Sequence, residues 1–262
     1  MSDPGPAATA APKAWTSVLP RGQAGRALGL HAIRALLAAC VLAGVGAQGA
    51  QGAQGAARAG LCEQGLRQSP IDIVAPLRRP LPSLQFDYHA APLRLVHDGH
   101  TVRVRFANRS QLVVGRQRYT LQQFHFHLPG GDRIAGEEFA MGMHFTHKSP
   151  SGQLMTLVLL FRVGQENPAL AALLPHLSAP GQPEHTVAHQ TVDAAAWLPA
   201  QRGYYVYDGS LTGPPCTEGV RWLVMKQPLQ LSAAQLALLK SLIPANARPV
   251  QPLNGRPILE SE

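Results

Sequence analysis

The sequence predicts a mostly β fold, arranged as a single domain with a few peripheral helices. Three observations support this prediction. From Gln68 onward, short apolar runs alternate with turn residues. The chain contains 25 glycines and 23 prolines, which is typical of a protein with many turns. Only two segments carry helix signals. With 262 residues, 45% of them hydrophobic, the chain can bury a sizeable core.

The strand signals follow one another along the chain. Residues 93–106 alternate between apolar and polar side chains around an Asp98-Gly99 turn, which predicts a β-hairpin. Further strands are predicted at residues 111–115, 119–128, 142–147, 154–163, 204–211 and 219–231. Helices are predicted at residues 167–177, with Asn167 as the cap and Pro168 at the first position, and at residues 232–243, with Ser232 as the cap.

Residues 1–60 are predicted to lie outside the folded domain, which then covers residues 61–262. Arg34, an apolar run at residues 35–45 and small residues after it have the order of a secretory signal peptide. The run is too short and interrupted for a stable membrane anchor. A low-complexity Gly-Ala-Gln spacer follows at residues 46–57. We therefore expect a periplasmic or secreted protein.

Export bears on the cysteines and the charge. Cys40 lies inside the predicted signal peptide, which leaves Cys62 and Cys216 as an even pair. The pair could form a disulfide or stay free and buried, and an oxidising compartment favours the disulfide.

The first sixty residues contain half of the formal net charge of +8. Because the remaining basic residues form no clustered stripe, a nucleic-acid partner is not expected.

Histidines are concentrated between residues 122 and 149. His125 and His127 share one face of a predicted strand, because side chains alternate along a strand. A third ligand to the same metal ion would come from the next strand, where His144 and His147 point to opposite faces. Three imidazoles with an open fourth position are the arrangement of a catalytic zinc site. Taken alone, the His-x-His pattern also fits a structural β-domain that binds metal adventitiously.

Six ordered motifs carry a resemblance to a known family. They are QSPIDI (68–73), GHTVRV (99–104), QFHFH (123–127), MHFTH (143–147), GSLTGPPCTEGVRW (209–222) and RPVQPLNGR (248–256). Together they resemble the α-class carbonic anhydrases of the bacterial, exported type, from about Leu61 to the C-terminus. The resemblance implies a large central, mainly antiparallel twisted sheet. It also implies a zinc lyase that interconverts carbon dioxide and bicarbonate, as a monomer or homodimer.

The resemblance further implies roles for individual residues. His125, His127 and His144 would hold Zn²⁺, and His147 would be structural. His100 would relay a proton to solvent. Thr212 would orient the attacking oxygen, Gln123 would support His125, and Asn246 would support His127. Cys62 and Cys216 would form a disulfide. The carbon dioxide pocket would be lined by Leu211, Gly213, Val220, Trp222, Thr146 and Thr156. His89 and His97 are expected to be solvated turn residues.

Three departures from the family predict reduced activity. Gly131 stands where the family has a glutamate that accepts the hydrogen of Thr212, and the adjacent Asp132 could replace it only if the backbone shifts. Gly142 stands where relatives often have a glutamate that holds the third imidazole. Loss of such a partner costs about ten- to a hundredfold in metal affinity or activity. The N-terminal aromatic segment of relatives is missing. The alternative is therefore a carbonic-anhydrase-related protein with little hydratase activity.

Overall fold

Strands dominate the computed structural model, which describes residues 60–107, 109–177 and 179–262. The strands are β1 (Asp72–Ile73), β2 (Leu77–Arg78), β3 (Leu84–Asp87), β4 (Ala91–His97), β5 (Val102–Arg105), β6 (Gln111–Val114), β7 (Gln117–His127), β8 (Arg133–Ile134), β9 (Met141–Lys148), β10 (Leu154–Val163), β11 (His185–Val192), β12 (Tyr204–Ser210), β13 (Glu218–Met225), β14 (Leu229–Leu231) and β15 (Leu259–Glu260). The α-helices are α1 (Pro168–Leu173) and α2 (Ala233–Leu242), with 3₁₀ turns at Leu174–His176 and Ala194–Trp197. Residues 60–64 are also helical.

Thirteen of these strands form one sheet, whose main path runs β11-β4-β5-β7-β9-β10-β13-β12-β15-β2. Neighbouring strands are antiparallel except where β10 pairs with β13 and β14 and where β15 pairs with β2. The strands β4 and β5 form the predicted hairpin. The mostly β fold with a large, mainly antiparallel sheet is therefore confirmed.

Both helices begin at the predicted caps. The side chain of Asn167 accepts a hydrogen bond from the backbone N–H of Leu170, and Ser232 forms a capping box with Gln235. Two predicted boundaries were wrong. The helix at residue 167 changes to 3₁₀ geometry at Leu174, because Pro175 cannot continue the α-helical hydrogen bonds. The strand predicted at 219–231 is divided into β13 and β14, with Pro228 just before β14, because proline lacks a donor for the ladder.

Alternation along β7 separates the core from the site. Phe124 and Phe126 are completely buried in the larger hydrophobic cluster, together with Phe145 from β9. His125 and His127 lie on the other face of the strand, as the period of two predicts. A second cluster, which includes Val220 and Trp222 from β13, also has Tyr207 from β12 and Val158 from β10. The sheet thus presents the histidines beside this second cluster.

A disulfide joins Cys62 to Cys216 across 154 residues, which confirms the predicted bond. Within the described ranges, no helix is long and apolar enough to cross a membrane. The predicted signal peptide, the spacer and Cys40 lie outside the described residues. All described residues belong to one compact unit.

Candidate metal centre

Three histidines meet where β7 and β9 pair. His125 is directly opposite His144 in the antiparallel ladder, and His127 is opposite Gly142. One ring nitrogen from each of His125, His127 and His144 lies within 4.8 Å of the others. The Nε2 atoms of His125 and His127 are 3.0 Å apart. Such a short separation of nitrogen lone pairs is the geometry of ligands that converge on one point.

The structure also separates His144 from His147, the two candidates that the sequence left open. His147 is completely buried on the other face of β9. One of its ring nitrogens lies 2.8 Å from the Tyr88 hydroxyl, and the other lies 3.0 Å from the backbone carbonyl of Phe145. Both nitrogens of His147 are therefore occupied, which leaves His144 as the third member of the group.

The three imidazoles are neutral at pH 7. Burial lowers the pKa of His127 to about 4. Burial also lowers the pKa values of His125 and His144 well below the usual range, and the charge of His127 lowers them further. Because a protonated imidazole has no lone pair to share, the neutral form is the one that binds a metal ion.

Two of the three rings have polar support behind them. The Nδ1 atom of His125 lies 3.0 Å from Gln123 Oε1, and Gln123 Nε2 donates to Thr146 Oγ1 at 2.7 Å. A ring N–H of His127 donates a hydrogen bond to Asn246. These contacts place Gln123 and Asn246 beside the rings for which the sequence had suggested them.

His144 lacks such support. Its Nε2 atom is buried and has no hydrogen-bond partner in the described part of the chain. A side chain on Gly142 could supply one, but its β-carbon would overlap the backbone carbonyl oxygen of Gly130. The Trp222 ring packs edge-on against the imidazole instead, with centroids 5.0 Å apart. The third imidazole is therefore held by apolar packing on that side.

The turn that carries His100 is tied to the histidine strand. The carboxylate oxygen Oδ1 of Asp98 accepts hydrogen bonds from the backbone N–H groups of His100 (3.0 Å) and Thr101 (2.9 Å). Asn246 Nδ2 donates to the carbonyl oxygens of His100 (2.8 Å) and Phe126 (3.0 Å). The side chain of His100 is exposed, and its backbone is tied through Asn246 to Phe126, the residue between His125 and His127.

His97 is not a solvated turn residue, and that prediction was wrong. Its side chain is only 1% exposed. One ring nitrogen lies 3.0 Å from the Leu242 carbonyl at the end of α2, and the other accepts from the Gly99 N–H at 3.1 Å. The helix end that covers His97 lies 145 residues away in sequence, so no local pattern indicates it. His89, in contrast, remains largely exposed beside Asp87.

The predicted pocket residues come from adjacent strands. Thr146 on β9 is opposite Thr156 on β10, and Thr156 is in register with Trp222 on β13. Leu211 packs against the cluster that contains Val220 and Trp222. Thr212 is half-buried on the segment after β12. Around Gly213, the described residues leave open space where a β-carbon would be.

Asp132 does not take the place of the missing glutamate. Its Oδ1 accepts from the Ile71 N–H (3.0 Å) and the Tyr207 hydroxyl (2.8 Å), and its buried Oδ2 has no partner among the described residues. Burial raises the pKa of Asp132 to about 6. Gly131 has φ +86°, a conformation that favours glycine. Neither residue 131 nor residue 132 therefore supplies a carboxylate that could accept the Thr212 hydrogen.

Sequence reasoning missed Tyr207, which stacks on Trp222.

The fold and the histidine group define a β-sheet protein with a candidate metal centre of three nitrogen ligands. Residues 54–262 match the model of the eukaryotic-type carbonic anhydrase family. A carbonic anhydrase of Pectobacterium carotovorum is 39% identical over 200 residues, which cover 76% of this chain and 82% of that protein. The chain therefore belongs to the eukaryotic-type, or α-class, carbonic anhydrase family, whose enzymes hydrate carbon dioxide.

Solved structures agree with this assignment. The α-carbonic anhydrase of Thermovibrio ammonificans, in complex with the inhibitor sulfanilamide, is 37% identical with a TM-score of 0.73, and the match covers 77% of this chain and 90% of that one. A dioscorin complexed with ascorbate is 33% identical with a TM-score of 0.69, over 78% of this chain and 89% of that one. The same fold thus also occurs in proteins described by another name and ligand.

Proposed function

We propose that this protein is a zinc-dependent carbonic anhydrase that interconverts carbon dioxide and water with bicarbonate and a proton. The observation that carries the proposal is the convergence of three neutral imidazole nitrogens within 4.8 Å. Three nitrogen donors from the protein, with water or substrate as the fourth ligand, match the preference of catalytic Zn²⁺. When bound, zinc lowers the pKa of a water ligand to near neutrality, an effect for which carbonic anhydrases are the reference case.

The ring contacts indicate which nitrogens would hold the ion. His125 uses Nδ1 toward Gln123, so its Nε2 is free, and this atom faces Nε2 of His127. The buried nitrogen of His144 is Nε2. An ion that enters from solvent needs the more accessible nitrogen, so we assign Nδ1 of His144 as the third ligand atom.

The surrounding residues would bind substrate and move the proton. Leu211, Val220 and Trp222 would supply an apolar wall, and the contact of Trp222 with His144 supports a position for that wall beside the imidazoles. Thr146, Thr156 and Gly213 complete the proposed pocket. Thr212 would orient the attacking oxygen, and His100, exposed on its anchored turn, would pass the proton to solvent.

The same contacts predict a slow enzyme. Without a carboxylate at Gly131, the Thr212 hydroxyl can either donate or accept, so its directional control is weakened. Because Nε2 of His144 has no hydrogen-bond partner among the described residues, one of the contacts that orient metal ligands is absent there. These two observations also favour a second candidate function, a carbonic-anhydrase-related protein that binds zinc without appreciable hydration activity.

Metal analysis and stopped-flow hydration of carbon dioxide separate these functions. The chain is purified without a histidine tag and compared with His144→Ala and with His189→Asn, a change at an exposed histidine. We expect near-stoichiometric zinc and zinc-dependent, sulfonamide-inhibited hydration in the wild type and in His189→Asn. His144→Ala should lose both. Zinc without hydration would support the second candidate, and substoichiometric zinc would support a structural domain with adventitious metal.

We also propose that the protein works in the periplasm or outside the cell. The Cys62–Cys216 disulfide supports this location, because structural disulfides persist in oxidising compartments. Cell fractionation with an antibody against the folded domain tests it. Recovery in the cytosolic fraction with both thiols free to react would refute the proposal.

A further inference from the structure

Thr146 makes a polar contact that a pocket-lining role does not require. Its hydroxyl oxygen lies 2.7 Å from Nε2 of Gln123 and accepts a hydrogen bond from that amide. Gln123 and Thr146 are paired across β7 and β9, so their side chains emerge side by side on one face. The contact is therefore built into the strand register.

The other end of the same amide supports His125. Gln123 Oε1 lies 3.0 Å from His125 Nδ1. An amide oxygen only accepts, so this contact keeps the proton on Nδ1 and leaves the lone pair of Nε2 free. A reversed amide would present its N–H groups to Nδ1 and favour the opposite tautomer, in which Nε2 carries the proton.

Thr146 gives the amide nitrogen a partner in the orientation that suits His125. Without the hydroxyl, the half-buried amide N–H of Gln123 would have no partner when Oε1 faces Nδ1 of His125. An unpaired donor costs free energy, so this amide orientation would become less favourable. Support of His125 matters more here because His144, two residues before Thr146 on the same face of β9, has no partner for its Nε2 within the part of the chain that the structure describes.

We propose that Thr146 is a positioning residue for the metal centre, which acts through Gln123 to hold His125 in its metal-binding tautomer. This inference rests on the proposed zinc-dependent function. It assigns to Thr146 a role in metal affinity that differs from contact with carbon dioxide, and it predicts that the hydroxyl matters and the methyl group does not.

The test is the zinc dissociation constant, measured by competition with a chromogenic chelator, together with the rate of zinc release. Thr146→Val keeps the shape and removes the hydroxyl, so we expect about tenfold weaker binding, at the lower end for loss of a group that orients a metal ligand. Thr146→Ser should bind like the wild type. Thr120→Val, the same change on the neighbouring strand β7, is the matched control and should leave zinc affinity unchanged.

A double-mutant cycle distinguishes positioning from a general structural effect. In a Gln123→Ala background, Thr146→Val should cause no further loss of affinity, since the two residues act as one unit. An undiminished loss in that background, or wild-type affinity in Thr146→Val alone, would overturn the inference while the proposed function stands. A wild type that fails to bind zinc stoichiometrically would instead overturn the proposed function, and this inference with it.

Discussion

The carbonyl oxygen of Gly130 occupies the position that a β-carbon on Gly142 would need. The two glycines therefore depend on each other: the backbone before Gly131 approaches β9 closely only because residue 142 has no side chain. This contact explains in steric terms why the third imidazole has no carboxylate behind it. The backbone of Gly130 fills the space that a side chain on Gly142 would need.

Gly142→Ala should destabilise the protein strongly. The added methyl group meets a backbone atom, which cannot move as the end of a side chain can, so we expect a loss of roughly 1–3 kcal/mol in the free energy of unfolding. Urea denaturation measures the loss. The control is Gly213→Ala, where the described residues leave open space around the new methyl group and the change should stay within about 0.5 kcal/mol. Equal stability of the two variants would contradict the predicted overlap.

Gly131→Glu should hydrate carbon dioxide faster than Gly131→Gln. Both variants carry the strain of a side chain at φ +86°, about 1–2 kcal/mol, so both should be less stable than the wild type. Space is not limiting, because the nearest atoms to the new β-carbon are those of Pro70 at 3.7 Å. Only the glutamate can accept the Thr212 hydrogen as a carboxylate. Stopped-flow rates at matched zinc occupancy give the comparison, and equal rates would mean that another group already orients Thr212.

Asp132 should make stability depend on pH. Its pKa is raised from 3.8 to about 6 in the folded protein. The protonated carboxyl thus contributes stability that is fully present below pH 3.8 and is lost as the pH rises through about 6, in total about 3 kcal/mol. As the pH falls from about 7.5 to about 4.5, this carboxyl should raise the unfolding free energy of the wild type. Asp132→Asn should not show this increase.

The measurement is chemical denaturation of both proteins across this pH range. The informative quantity is the difference between wild type and Asp132→Asn, because carboxylates with lowered pKa values, such as Asp98 and Glu218, contribute with the opposite sign at lower pH in both proteins. A difference that stays constant with pH would show that the pKa of Asp132 is the same in the folded and unfolded protein, which would contradict the prediction.

Removing the disulfide should lower the stability by about 5 kcal/mol, since the bond closes a loop of more than 150 residues. The double variant Cys62→Ser/Cys216→Ser tests this by urea denaturation. The oxidised and reduced wild type provide the second comparison, because reduction should reproduce the loss and leave the double variant unaffected. Unchanged stability after verified reduction would contradict the prediction.

Local patterns were enough to predict much of the fold. The alternation around Asp98-Gly99 predicted the hairpin, and the caps at Asn167 and Ser232 predicted where the helices begin. These features depend on neighbours within a few residues. The sequence also predicted that the third ligand would come from the next histidine-bearing strand, but it left His144 and His147 open. The pairing of β7 with β9 places His144 opposite His125.

Contacts between distant segments were not predictable in this way. His97 is buried because its ring meets the end of α2, and Asp132 is buried because Tyr207 from β12 reaches its carboxylate. In both cases the residue itself is polar and lies near a turn, which favours a solvated position. Only the packing of remote strands and helices determines the actual environment.

The side chain of Asn246 connects segments that are distant in the sequence. It bonds to backbone atoms of Leu128, Phe126 and His100 that lie 118 to 146 residues earlier in the chain. Contacts of such long range tend to form late, because closing a large loop costs entropy before the contact can offset it. We therefore expect the geometry around the imidazoles to be completed late in folding. If the imidazoles bind a metal ion, we therefore expect the ion to slow unfolding and to leave the refolding rate almost unchanged.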